Sequence, residues 1–359
     1  LKSMFEERKE DEEKIGNGVV TTLDPVIQQA AYNALGSNKG AVVALNPKTG
    51  EVLAMVSKPT YNPNDLKASM DAANAGSADN SPLINRATAG LYPPGSTFKT
   101  ITLTSALENI GGITNRTFND EGKIVFNDKQ SLSNANNAVY GTIDLREAFK
   151  VSSNVVFGTL AMELGNDKLK ATAEDYGFNN SIEAEGITIE NSRFPTLTAS
   201  EKGSIAQTGI GQSSILATPI QMALVSSTIA NDGKMMVPTL VSKVIDKDGN
   251  VVKTVEPKVR KQIMNSTDAG IIKDYMKNLV DSKVSGSWSY FQGTNAAGKT
   301  GTADYNLPNG TPAKPHSWFI GFAPADNPKI ALAVIVENGG YGSTAAAQVA
   351  GNVINTALR

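Results

Sequence analysis

The stretch LYPPGSTFKTITLTSALENIGG (residues 91–112) runs from a proline–glycine turn into a helix in which Phe98, Ile101, Leu103, Leu107 and Ile110 are spread nearly all round. A helix that is apolar on every side is a buried helix. Lys99 sits in it three residues after Ser96, with no Asp or Glu within four residues. Residues i and i+3 lie next to each other on a helix surface, so the lysine is placed against the serine. A buried ammonium with no carboxylate beside it is expensive, unless the lysine is there to lose its proton. An ordinary lysine titrates near ~10.4 and is almost wholly protonated at pH 7. Burial or a second ammonium lowers that value. A neutral amine touching a serine hydroxyl can take its proton and make a nucleophile without histidine. The competing reading of Ser96 is a simple helix N-cap. Ser96 and Lys99 form the chain's only Ser-x-x-Lys.

Two further short patterns follow. Ser152-Ser153-Asn154 is the only Ser-x-Asn and lies between two predicted helices. Ser and Asn favour such junctions as caps, but a hydroxyl there can also relay a proton and the asparagine amide can hold a peptide carbonyl. Lys299-Thr300-Gly301-Thr302-Ala303 lies in a strand-like run, and Lys48-Thr49-Gly50 supplies an internal control. The early copy follows Asn46-Pro47, where a hairpin must turn, and turn chemistry explains it. The late copy carries Gly301 inside a strand, which marks a close approach of a ligand or another backbone. Its hydroxyls and ammonium along a sheet edge suit an anionic substrate bound in extended form.

Around these patterns the chain reads as strands, helices, strands and a last helix. KGAVVALNPKTGEVLAMVSKP (39–59) is a predicted hairpin. Residues 91 to about 231 are mainly helical. PTLVSKVIDKDGNVVKTVEP (238–257) pivots on Asp248-Gly249. A helix fits 266–280, followed by strand-like runs at TNAAGKTGTADY, SWFIGFAP and KIALAVIVEN and a helix around TAAAQVAGNVINTAL. This order predicts an α/β (α+β) fold, in which one antiparallel sheet takes its strands from both ends of the chain and a helical block of about 91–231 is inserted between them. Residues 1–17, charged and lacking a core, read as the cut end of a linker from an upstream region, or as a solvated terminus.

Bulk composition narrows the chemistry. The 359 residues carry a formal net charge of -2, which argues against nucleic acid as the main partner. With no cysteine, thiol nucleophiles and thiolate metal sites are excluded. With His316 as the single histidine, multi-histidine metal sites are excluded too, and a Ser-His-Asp triad has one candidate base. No metal or cofactor is expected. His316 is read as structural or at the surface, and Trp318 and Phe319 as core. No run approaches the 18 or more apolar residues that span a bilayer.

Ser-x-x-Lys, then Ser-x-Asn, then Lys-Thr-Gly is the ordered signature of β-lactamases and penicillin-binding proteins. With TTLDPVIQQAAYNAL (21–35), YPPGSTFK, GIGQSSILATPIQMA (209–223) and HSWFIGFAP, residues 18–359 resemble the transpeptidase domain of a class B penicillin-binding protein of the short, PbpA-like type. The resemblance implies the penicillin-binding-protein fold, with an antiparallel sheet flanked by helices and a mainly helical subdomain. It implies a serine-type peptidoglycan D,D-transpeptidase in which Ser96 attacks the D-Ala-D-Ala carbonyl of a stem peptide and releases D-alanine. Lys99 would be its base, Ser152 the proton shuttle to the leaving amine, and Asn154 a ligand of the substrate amide. Lys299, Thr300, Gly301 and Thr302 would line the substrate, Thr300 and Thr302 holding its carboxylate. The backbone N–H groups of Ser96 and Thr302 would form the oxyanion hole. β-Lactams would acylate the same serine, a glycan-polymerising membrane protein would be a partner, and an upstream segment would anchor the domain on the outer face of a bacterial cell membrane. The alternatives are a D,D-carboxypeptidase, a serine β-lactamase and a non-catalytic β-lactam sensor. A class A lactamase would need a Glu-x-x-Leu-Asn pentad, which is absent; Glu190 in ITIENS is the one loosely placed acid. Lys299 brought near Lys99 is the expected second ammonium.

Overall fold

Asn46-Pro47-Lys48-Thr49-Gly50 does turn the chain. Asn46 Oδ1 accepts from Lys48 N at 3.0 Å, Gly50 N donates to Asn46 O at 2.9 Å, and Gly50 has φ +79°. The computed structural model describes residues 16–75, 82–340 and 344–359. Most of the expected linker, residues 1–15, lies outside them, and a strand begins at Gly18.

The turn joins β1 (Gly40–Leu45) to β2 (Val52–Lys58), the first two strands of a five-stranded antiparallel sheet. The others are β3 (Ala297–Ala303), β4 (His316–Ala323) and β5 (Ile330–Val336), and the order across the sheet is β3-β4-β5-β1-β2. Strands from the two ends of the chain therefore meet at β5 and β1, where Val334 faces Val42. IALAVIV is buried at every residue, so both faces of β5 are covered, as its unbroken apolar run requires.

The helices that matter to the site are α1 (Pro25–Leu35), α2 (Lys99–Asn109), α3 (Leu145–Val151), α4 (Asn154–Asp175), α5 (Pro219–Ala230), α6 (Ser266–Val284) and α7 (Thr344–Ala357). Helices α1 and α7 pack on each other and on the sheet, α5 is buried at all twelve residues against β1, β4 and β5, and α6 packs on β3. Three of these starts have a plain cause in the sequence. Asp24, Thr218 and Asn265 accept backbone N–H groups at the first turns of α1, α5 and α6, with proline in the first turn of α1 and α5.

Two details differ from the sequence reading. The inserted block also holds two small ribbons, Thr117–Asp120 with Gly141–Asp144 and Lys123–Asn127 with Gln130–Ser133. Their residues are polar or exposed at most positions, so no apolar alternation announces them. The hairpin Val241–Ile245 and Val251–Thr254, with Gly249 at φ +83° in its turn, forms as expected but stays outside the main sheet. It pairs instead with Gly18–Thr21 in a separate three-stranded sheet.

Candidate active site

Ser96 stands on one turn of 3-10 helix, Gly95–Phe98, that runs directly into α2. Lys99 opens α2 directly after that turn, three residues from Ser96. The N-cap reading of Ser96 fails: Pro94 occupies the cap, without a side-chain bond. Ser96 is half-buried on a cleft wall, whereas Lys99 through Ala106 are all buried. Thr97 Oγ1 donates to Pro94 O and Trp318 Nε1 to Pro93 O, which pins the turn to the sheet. Trp318 is core, as expected, and also holds the nucleophile's turn.

Ser152-Ser153-Asn154 divides its duties. The middle residue, Ser153, is the N-cap of α4 and accepts Val156 N at 3.0 Å. That leaves its neighbours for the site. Ser152 closes α3 in the left-handed region (φ +58°, ψ +51°), a conformation that costs a residue with a Cβ about 1 kcal/mol or more. Lys99 Nζ donates to Ser152 Oγ and to Asn154 Oδ1, both at 2.8 Å, and to Ser152 O at 2.9 Å. Asn154 Nδ2 donates to Ser133 O, so the amide keeps one N–H and one lone pair for a ligand.

Lys299 arrives from β3. Its Nζ donates to the same Ser152 Oγ at 3.1 Å and to Thr300 O at 2.9 Å. Both lysines are fully buried, and among the described residues neither is ion-paired. Their ammonium groups lie 5.7 Å from the ring centres of Phe157 and Phe149 respectively, partial compensation at most. Burial first, and the Lys299 ammonium second, hold Lys99 well below the ordinary lysine value. Burial, and then Lys283, lower Lys299 to about 7. The expected second ammonium is therefore in place, with burial the larger cause.

Gly301 marks a close approach, and the approaching group is backbone. A Cβ there would lie 2.9 Å from Thr97 N and 3.0 Å from Ser96 N. Gly95, at φ +56°, presses equally on the strand, since its Cβ would fall 2.1 Å from Thr302 O. Glycine at both positions lets the Ser96 turn and β3 sit side by side. Ser96 and Thr302 thereby line one cleft of about 300 Å³, together with Asn154, Gln207, Gln212 and Asp304. Lys99 and Lys299 are buried and are not part of that wall, while Ser152 and Thr300 are half-buried.

Several residues were not singled out from the sequence. The carboxylate of Asp120, fully buried, accepts from Ser153 Oγ at 2.6 Å, Asn134 Nδ2 at 2.8 and 2.9 Å, and Gly122 N at 2.8 Å. Asn134 Oδ1 in turn accepts Val155 N. Asp120 and Asn134 thus clamp the junction that bears Ser152 and Asn154. His316 is buried, accepts Asn338 N through Nδ1 and stacks on Tyr305, a structural setting. Glu190 is exposed and is not among the residues of the cleft wall.

The model of the penicillin binding protein transpeptidase domain matches residues 40–355. The chain belongs to the penicillin-binding protein transpeptidase family. This transpeptidase is 38% identical over 366 aligned positions to the peptidoglycan D,D-transpeptidase PbpA of Mycolicibacterium smegmatis, covering 96% of this chain and 73% of the relative. Its fold matches penicillin-binding protein A of Mycobacterium tuberculosis, solved as a ceftriaxone acyl-enzyme complex, with a TM-score of 0.89 and 32% identity over 100% of this chain and 84% of that one. It also matches a D,D-transpeptidase domain from Eggerthella lenta at a TM-score of 0.86 and 36% identity, over 97% and 84% of the two chains. The mixed helix and sheet architecture of the transpeptidase is that of its family.

Proposed function

We propose that the protein is a serine-type peptidoglycan D,D-transpeptidase in which Ser96 is the nucleophile and Lys99 its base. The observation that carries this reading is the pair of buried lysines sharing Ser152 Oγ, one of them three residues after Ser96. Ser96 Oγ bonds to the carbonyl carbon of the penultimate D-alanine, and its proton passes to neutral Lys99. The oxyanion is held by the N–H groups of Ser96 and Thr302, each such donor contributing about 3 to 4 kcal/mol in other enzymes. As the C–N bond breaks, a proton reaches the leaving amine through Ser152. Thr300, Thr302 and Lys299 hold the terminal carboxylate beside Gly301, and Asn154 holds the substrate amide. An amine of a second stem then bonds to the acyl carbon, and Ser96 Oγ leaves with a proton returned through Lys99. The close fit of the Gly301 backbone to the Ser96 turn supports the oxyanion assignment.

Residues 18–359 act as one transpeptidase domain, since α1 packs on α7 and β2. The substrate class places this domain on the outer face of the bacterial cell membrane, held there by an upstream segment and working beside a glycan-polymerising membrane protein. Among the described residues no helix is long and apolar enough to cross a membrane. Intact-mass measurement with penicillin tests the reading. A persistent adduct of one drug on the parent chain, absent from Ser96→Ala, supports it. Rapid adduct loss with drug turnover favours the β-lactamase reading, and absence of any adduct defeats both.

A further inference from the structure

Helix α6 packs on β3, the strand that bears Lys299. Its residues Tyr275, Leu279 and Lys283 follow at steps of four and so run along one stripe of the helix. Tyr275 meets Phe149 at a ring separation of 6.1 Å, and Phe149 is the ring that lies 5.7 Å from Lys299 Nζ. Leu279 is buried. Lys283 is half-buried, and among the described residues its ammonium has no ion pair and no hydrogen bond. It stands 4.7 Å over the ring of Trp288, which packs on Phe319 of β4. The other charged groups near β3 have their own settings. On α6, Lys273 pairs with Asp232, Lys277 with Asp281 and Asp274 with Arg146, while Asp268 lies in the first turn at the far end. Strand β4 sets Ile320 opposite Lys299, and its one titratable residue, His316, opposite Ala303. From α2 comes Lys99, which shares Ser152 Oγ with Lys299.

Lys283 is thus a third cation beside the two catalytic lysines, and among the described residues no carboxylate pairs with any of the three. Its charge is, after burial, the cause of the lowered Lys299 value. A like charge drives a proton off an amine, and a ligand carboxylate offsets that repulsion. The carboxylate of an arriving stem therefore recharges Lys299. Once the C–N bond breaks, the same carboxylate belongs to free D-alanine, and a permanently charged Lys299 would hold it where the acceptor amine must enter. We propose that Lys283 is a positioning residue that acts through Lys299: its crowding ammonium weakens the grip on the cleaved D-alanine and clears the cleft for the second stem. The inference rests on the transpeptidase reading and deepens it. Lys283 itself takes no part in bond making.

The test compares the parent chain with Lys283→Met, which keeps an apolar stem on Trp288, and with Lys283→Arg, which keeps the charge. The probe is N-acetyl-D-alanine, a carboxylate of the product's shape, and its Ki against penicillin labelling is measured from pH 6 to 9. A second readout is steady-state D-alanine release from a peptide ending in D-Ala-D-Ala. In the parent chain Ki should begin to rise near pH 7, where Lys299 loses its proton. In Lys283→Met the rise should begin about 1 pH unit higher, the scale of one like charge removed from a partly buried site. At pH 8 the probe should then bind about 3- to 10-fold tighter, and kcat and KM for the peptide should both fall. Lys283→Arg should keep the parent profile. Thermal melts report whether each variant is folded, and Lys283→Gln replaces Lys283→Met if that chain is not. An unmoved pH profile in the uncharged variant overturns the inference. Weaker probe binding at every pH overturns it too, since Lys283 would then only attract the carboxylate. In both cases the transpeptidase reading stands on penicillin labelling, and absence of labelling from the parent chain would instead overturn that reading.

Discussion

Lys99 and Lys299, two hundred positions apart in sequence, both donate to Ser152 Oγ, at 2.8 and 3.1 Å. One hydroxyl oxygen cannot serve two full ammonium charges in a buried site cheaply, so the pair favours states in which at least one amine is neutral. That coupling makes an amine base available at neutral pH.

The first prediction concerns pH. With Lys99 held well below the ordinary value, penicillin acylation should rise with pH along an acid limb and reach its plateau far below pH 10. Stopped-flow acylation rates from pH 5 to 10 check this; a limb centred near pH 10 would show an ordinary lysine and defeat the base assignment.

A second limb belongs to Lys299, which burial and then Lys283 lower to about 7. Its charge favours a ligand carboxylate, so affinity should fall as pH rises above 7. Binding should raise its value and take up a proton between pH 7 and 9. Calorimetry of a peptide ending in D-Ala-D-Ala in buffers of different ionisation enthalpy measures that uptake, and Lys299→Met should abolish it.

Gly301→Ala places a Cβ within 3.0 Å of two backbone nitrogens, neither of which is the end of a flexible side chain. The strand should move off the Ser96 turn and open the oxyanion hole, lowering acylation by about 10²- to 10³-fold, the scale of losing one donor. Gly111→Ala, with nothing within 4 Å of the new Cβ, is the matched control and should acylate normally.

Asp120→Ala strands three buried donors, those of Ser153, Asn134 and Gly122. The expected loss is about 3 kcal/mol or more. Denaturant unfolding measures it, and penicillin labelling of the folded fraction should slow as Ser152 loses its left-handed geometry.

The buried Arg86–Glu337 pair, 2.7 Å apart with side chains 3% and 9% exposed, ties the short helix Arg86–Ala89, before the nucleophile's turn, to the residue that follows β5. Glu337→Ala removes the carboxylate 2.7 Å from buried Arg86 Nε and should destabilise by about 3 to 5 kcal/mol. A thermal melt that is unchanged would show the pair to be water-filled and weak.

Much of this was legible in the chain itself. Ser96, Lys99 and the 39–59 hairpin announce themselves through local rules, because a turn, a helix start and an i, i+3 pair are set by neighbours in sequence. The ribbons between 117 and 144 stayed hidden, since their strands are four or five residues long and each brings only one or two apolar residues to the core, such as Phe118, Ile143 and Leu132. The destination of the 241–254 hairpin was equally hidden, because a strand carries no mark of which edge it joins.

The sequence by itself determined the three motifs, the sheet built from both chain ends and the need for a neutral lysine. Only the tertiary structure decided that Lys299 meets Lys99 at Ser152, that Asp120 clamps the junction from below, and that Gly301 makes room for backbone and not for a ligand alone. Those relations depend on distances of about 3 Å between segments some 30 to 200 residues apart, and no local preference encodes them. Ser96 shows the division at one residue: its neighbours set the turn, while the pressure of β3 against Gly95 sets what the turn faces.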